Sequence, residues 1–128
     1  MKLLLDTHLL LWAAAEPARL PEAARGLIED PDNAPVFSAA SLWEVVIKRA
    51  LGREDLRVDP HLLRRGLVDN GYAELAVSGT HVLAASALPP LHRDPFDRLL
   101  VAQATAEGIE LITCDERVAA YPGPIRKV

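Results

Sequence analysis

The stretch His92-Arg93-Asp94-Pro95-Phe96-Asp97-Arg98-Leu99-Leu100-Val101-Ala102-Gln103-Ala104 reads as a helix with an acidic mouth. Pro95 falls just inside the helix start, where a missing N–H costs nothing. Asp94, immediately before it, is placed to cap the helix, and Asp97 falls on the first turn, where the helix dipole favours a carboxylate. Leu99, Leu100 and residues 102–104 continue as a mostly apolar helix to about Glu107, with Gly108 as its stop. A helix this apolar belongs against a sheet and not on the surface. It therefore presents two acids from a rigid, buried support.

Working outward, the helix sits in an alternating series. After it, residues 109–113 form a strand, Asp115 follows, residues 116–121 allow one helical turn, and residues 125–128 a last edge strand. Before it, Pro89-Pro90 ends a short helix over residues 80–88, itself preceded by a strand at 72–77. Residues 60–68 read as a helix closed by Asn70-Gly71, and the polar stretch 53–59 as a loop. Leu42, Val45, Val46 and Ala50 have helical spacing over residues 39–51, after a strand at 35–38. The chain begins with a strand at residues 2–5 closed by Asp6, then helices at 7–15 and 21–30 and a turn at 30–33. Strands alternating with helices imply an α/β sandwich around a mainly parallel sheet, as one domain spanning residues 1–128.

Composition narrows the function. At 128 residues the chain suits one domain, and half its residues are hydrophobic. A net charge of −4 is unlike a nucleic-acid binder, although a carboxylate metal site would itself supply negative charges. Cys114 is the only cysteine, so no intrachain disulfide forms, and a reducing, cytoplasmic setting is expected. The apolar N-terminus imitates a signal peptide, but Asp6, Thr7 and His8 interrupt its centre. No run approaches the length of a membrane span.

Four acids come from four separated segments. Asp6 ends the first strand, and Asp115 lies just past the fourth. Glu44 lies about one turn into the helix after the second strand, and Asp97 on the first turn of the apolar helix. In open α/β sheets the working crevice lies at the carboxyl ends of the strands, where all four could meet. Acids gathered there must protonate or find a cation. A hard divalent ion, Mg²⁺ or Mn²⁺, suits carboxylate ligands, and no Cys–His spacing of the zinc kind occurs. Each acid also has a local explanation. Asp6, Asp94 and Asp115 can cap helices, and Ser41 to Glu44 has a capping-box spacing, with Ser38 the more natural cap there.

Other residues carry weaker signals. Ser38 and Thr113 close strands feeding the acidic edge, and their hydroxyls could orient a carboxylate or water, or cap. Arg98 could bind phosphate or pair with an acid, or be solvated. His8 could sit at the site mouth, though packing or solvent exposure is the plainer reading for it and for His92. Trp12 and Trp43 read as core or interface residues. Lys48, Arg49 and Arg53, like Arg64 and Arg65, read as a solvated face, with nucleic-acid backbone as the sharper alternative. Cys114 reads as a buried or half-buried thiol without a histidine partner.

Leu5-Asp6-Thr7-His8, Ser41-Leu42-Trp43-Glu44, the whole stretch from His92 to Ala104, and Thr113-Cys114-Asp115 together resemble the PIN-domain ribonucleases, and more narrowly the VapC toxins of bacterial toxin–antitoxin pairs. The motifs occur in family order over essentially the whole chain. The resemblance implies a PIN-like three-layer sandwich and an acidic site of Asp6, Glu44, Asp97 and Asp115 holding Mg²⁺ or Mn²⁺. It implies metal-dependent endonucleolytic cleavage of RNA, with water activated by the cation as nucleophile. It also implies a homodimer inhibited by a small cognate antitoxin, with no membrane association. Val118 departs from relatives that carry a larger side chain there.

Rival chemistries fit less well. An aspartyl phosphatase would need a second acid two residues after Asp6, where His8 stands. A phosphoreceiver domain needs a lysine after a late strand, and Thr113-Cys114-Asp115 offers none. A catalytically silent PIN-like module that binds RNA or protein would be free to lose acids that this chain retains.

Overall fold

The computed structural model describes residues 1–128. Strands β1 (Lys2–Leu5), β2 (Ala34–Ser38), β3 (Ala73–Leu75), β4 (Glu110–Thr113) and β5 (Ile125–Lys127) form one sheet in the order β3-β2-β1-β4-β5. Every pairing is parallel, so the expected mainly parallel sheet is wholly parallel. Leu4 pairs with Val36 on one side and Leu111 on the other. Leu3, Leu4 and Leu5 are completely buried, as a central parallel strand covered on both faces requires. Each such leucine contributes roughly 1.5–3 kcal/mol through burial.

Seven helices cover the sheet: α1 (Thr7–Ala15), α2 (Glu22–Glu29), α3 (Ala39–Ala50), α4 (Pro60–Asp69), α5 (Gly79–Ser86), α6 (Pro95–Glu107) and α7 (Glu116–Ala119). Strand alternation sorts the core into two layers. Leu3, Leu5, Phe37 and Ile112 pack on Leu9, Leu10, Val45, Leu63 and Leu67, from α1, α3 and α4. Leu4, Val36 and Leu111 face the other way, onto Leu100, Val101 and Ala104 of α6 with Val118 and Tyr121. Val118 is fully packed despite its small size. This is the three-layer arrangement expected.

The differences from the sequence reading have local causes. The stretch 53–59, expected as a loop, contains a 3-10 turn at Glu54–Leu56, because Leu56 is drawn fully into the core. A second such turn, Pro17–Arg19, follows α1. Trp43 is 57% exposed and is not a core residue. Helix α6 begins as its sequence implies: Asp94 Oδ1 accepts from the N–H groups of Phe96 and Asp97. It ends at Gly108, whose φ of +66° is the left-handed conformation that glycine adopts without strain.

The strand order reverses direction of travel between β1 and β4. Chain leaving β1 crosses toward β2, whereas β4 lies on the opposite side. The crevice at such a switch point opens beyond the carboxyl ends of these two strands.

Candidate active site

A cleft of about 700 Å³ opens at that switch point. Asp6, Glu44, Asp97 and Asp115 all line it, with Asp94 and His92. A smaller, mainly apolar pocket of about 270 Å³, bordered by Leu20, Ile28, Leu67 and Tyr72, shares none of these acids.

Asp6 follows β1 and caps α1. Its Oδ1 accepts from Leu9 N at 3.0 Å, and its Oδ2 accepts from the Thr113 hydroxyl at the end of β4. Thr113 Oγ1 in turn accepts from Asp115 N at 3.0 Å. One hydroxyl therefore ties the first strand's acid to the backbone that leaves β4. Burial raises the Asp6 pKa, against the hydrogen bonds from Thr113 and Leu9 that lower it. Capping and a role in the cleft coexist in this residue: the cap uses one oxygen and fixes the other.

Glu44 is buried on α3. The Thr7 hydroxyl donates to its Oε1 at 2.5 Å, and Lys48 Nζ stands 2.6 Å from its Oε2. It caps nothing; Ser38 caps α3 by accepting from Ala40 N. Lys48 also reaches Asp94 Oδ2 at 2.9 Å. The expectation that Lys48 belongs to a solvated basic face is thus corrected. The i,i+4 spacing from Glu44 and the approach of α6 draw its head into the cleft. Arg53 and Arg64 are paired as well, with Asp55 and Glu74.

Asp97 lies on the first turn of α6, with Oδ2 2.9 Å from His92 Nε2. Its pKa is pushed up to about 6 by burial, then by the charges of Asp94, Glu44 and Asp6, against the lowering contact with His92. Asp94 behaves oppositely: although burial raises it, Lys48 and the α6 N–H groups hold it below the usual carboxylate range. Asp115 caps α7, and the Arg117 N–H and guanidinium hold its pKa down despite partial burial. The acids thus divide. Asp94 and Asp115 have cationic partners, whereas Asp6 has only a hydroxyl and a backbone N–H, and Asp97 an imidazole.

The four acids expected from sequence share one cleft, but they are not its tightest cluster. That cluster is His92, Asp94 and Asp97, whose potential ligand atoms lie within 4.8 Å of one another. His92 was missed as a site residue. Its position five residues before Asp97 gave no helical spacing, because it precedes the helix. Asp115 stands at the rim, beside Arg117. His8 lines the cleft mouth and pairs with Asp55 at 3.1 Å.

Two supporting residues sit elsewhere. Ser38 Oγ donates to the buried Gln103 Oε1 and accepts its own helix cap, so it braces β2 against α6 and does not face the cleft. Arg98 pairs with no acid, and its guanidinium is turned into the protein. Its guanidinium donates to the carbonyls of Ala85, Leu88 and Pro89 and to the Tyr121 hydroxyl. The α5–α6 connection is wrapped around it, which explains an arginine on an otherwise packed helix.

The donor set fits a divalent cation. Buried carboxylates with raised pKa values mark charge that the protein leaves uncompensated, and oxygen ligands suit a hard ion. Thr113→Val is expected to lower stability by about 1–2 kcal/mol, since it removes a buried donor to Asp6. It should also shrink the rise in melting temperature on adding Mn²⁺. An unchanged Mn²⁺ shift in differential scanning fluorimetry would show that Thr113 does not orient Asp6 for a cation.

Residues 3–124 match the PIN domain family. The chain is 32% identical over 122 residues to ribonuclease VapC22 of Mycobacterium tuberculosis (strain ATCC 25618 / H37Rv), covering 94% of this chain and 92% of that protein. Its fold is similar to VapBC2 from Rickettsia felis, solved bound to a DNA fragment from the promoter, at a TM-score of 0.72 and 16% identity over 99% of this chain and 98% of the other. It is also similar to a toxin–antitoxin complex from Klebsiella pneumoniae, at a TM-score of 0.60 and 19% identity over 98% of each chain.

Proposed function

Because the chain belongs to the PIN-domain family, we propose that it is a Mg²⁺- or Mn²⁺-dependent endoribonuclease, the toxin of a toxin–antitoxin pair. The observation that carries this reading is the gathering of Asp6, Glu44 and Asp97 in one cleft at the switch point, with Asp6 and Asp97 lacking any lysine or arginine partner. A relative named as a ribonuclease, matched over nearly its full length, supports the substrate class.

Asp6, Asp97 and Glu44 Oε1, which accepts from Thr7 but not from Lys48, are the groups that would hold the cation, with Asp115 at the rim. Once bound, the cation supplies an acidified water and offsets charge that grows on the phosphate. The protein's own work is positioning. Leu9 N–H and Thr113 lock Asp6, Thr7 orients Glu44, and His92 holds Asp97. A carboxylate in this set can accept the proton of the attacking water. Arg53 and Arg117 border the cleft and can exchange their exposed carboxylate partners for RNA phosphates, since such surface pairs are worth little.

The solved neighbours are toxin–antitoxin assemblies, which supports a protein antitoxin as partner. Exposed Trp43 and Val46 on α3 support a homodimer in which a second copy covers that face. No helix is long and apolar enough to cross a membrane. A cytoplasmic location suits an RNA substrate and an unpaired Cys114.

The test is RNA cleavage by the purified protein with Mg²⁺, with Mn²⁺ and with chelator. Cleavage that needs the added ion is expected. Cleavage untouched by chelator would remove the metal from the reading, and no cleavage of any RNA would favour a silent binding module. Expression alone should arrest growth, and co-expression of the antitoxin should restore it.

A further inference from the structure

The cleft contains a charge that a simple carboxylate metal site does not need. Lys48 reaches into it from α3, and its side chain is only 15% exposed. Its ammonium is held at 2.6 Å from Glu44 Oε2 and 2.9 Å from Asp94 Oδ2. The Phe96 ring centroid lies 5.7 Å away, so an aromatic face completes the cage. Lysine is seldom buried to this extent unless it is paired on more than one side. The other basic groups of the cleft differ. Arg53 is committed to Asp55 and Arg117 to Asp115, both in solvent-exposed pairs.

We infer that Lys48 is a resident counter-cation that limits the cleft to one divalent ion per chain, by closing Glu44 Oε2 and Asp94 Oδ2 to metal. This rests on the reading of the cleft as a cation site. Two-metal sites need carboxylates that can serve two ions roughly 3.5–4 Å apart. Here two of the oxygens that a second ion would use, Glu44 Oε2 and Asp94 Oδ2, are already bonded to an ammonium. A second dipositive ion in contact with the same carboxylates would be repelled by Lys48 at close range, in surroundings that screen poorly. Asp94 is doubly committed, because its other oxygen caps α6. Asp6, Asp97 and Glu44 Oε1, with Asp115 at the rim, are left for one ion. Lys48 is thus a positioning residue that acts through Glu44 and Asp94.

The experiment is a Mn²⁺ titration of the intact protein at neutral pH, with free Mn²⁺ read by electron paramagnetic resonance. Ions that also bind Asp97→Asn are subtracted as surface ions. The wild type is expected to bind one ion per chain in the cleft, and so is Lys48→Arg, which keeps the charge. Lys48→Met and Lys48→Gln are expected to bind two. Glutamine retains a hydrogen-bonding head, so the pair of variants separates lost charge from lost packing, and circular dichroism establishes that each is folded. A merely structural lysine would lower the melting temperature without changing the ion count. One ion in both uncharged variants, at unchanged affinity, would overturn the inference and leave the nuclease reading standing. So would two cleft ions in the wild type. No Mn²⁺ uptake by the wild type would overturn the cation site itself, and this inference with it.

Discussion

Asp97→Asn is expected to reduce RNA cleavage by at least about 10³-fold while stabilising the metal-free protein above pH 6. The first effect follows from removing the ligand charge at a carboxylate that has no arginine or lysine partner. The second has the opposite sign from an ordinary active-site lesion and comes from the same crowding. The Asp97 pKa is about 6 in the fold, against 3.8 for the free group. The fold therefore favours the protonated form. That preference stabilises the protein fully below about pH 4 and is lost as pH rises through about 6. Asparagine is neutral throughout, so above pH 6 the variant avoids a penalty of ~1–3 kcal/mol. Melting curves with chelator at pH 4 and pH 8 should lie close together for the two proteins at pH 4 and separate by several degrees at pH 8. Added Mn²⁺ should reverse the order, because only the wild type gains a strongly bound ion. A variant that cleaves RNA at the wild-type rate would sink the assignment of Asp97 as a ligand.

Arg98→Ala is expected to lower stability by about 3 kcal/mol, from the loss of charge-assisted hydrogen bonds to buried or half-buried acceptors. Three backbone carbonyls and the Tyr121 hydroxyl lose a charge-assisted bond at once; Ala85, Pro89 and Tyr121 keep a backbone N–H, whereas the Leu88 carbonyl is left without a donor. Arg98→Lys should recover little, since a single ammonium cannot reproduce the planar fork that meets acceptors on several sides. Urea denaturation measures the loss directly. The effect on cleavage should be secondary and should diminish at low temperature, where the variant is folded. A variant as stable as the wild type, yet unable to bind RNA, would instead restore Arg98 as a phosphate contact.

The contrast between these adjacent residues shows what sequence could convey. Asp94-Pro95 set the start of α6, and the apolar run after it set which face meets the sheet, because caps and periodicity are local. Asp6 and Asp115 were legible because strand ends in a parallel sheet converge by topology. Arg98, Lys48 and Ser38 were not. Each is decided by an acceptor far away in sequence: Tyr121 for Arg98, Asp94 for Lys48, Gln103 for Ser38. A long basic side chain reaches farther than any local pattern records. His92 was hidden for a related reason, since its partner is near in sequence but the loop between them has no regular period. For Trp43 the sequence left core and interface open, and its exposure removes the core, since helical apolar spacing does not say which apolar positions a fold leaves uncovered.

The bond from Thr113 to Asp6 joins residues 107 positions apart, and β1 has β4 as an obligatory neighbour. Contacts of such sequence separation form late, after the cost of closing a long loop has been met. A ribosome emits the N-terminal acid first and must deliver the β4 segment before that acid is oriented. The nascent chain therefore cannot orient Asp6 until the β4 segment has been made and has docked beside β1.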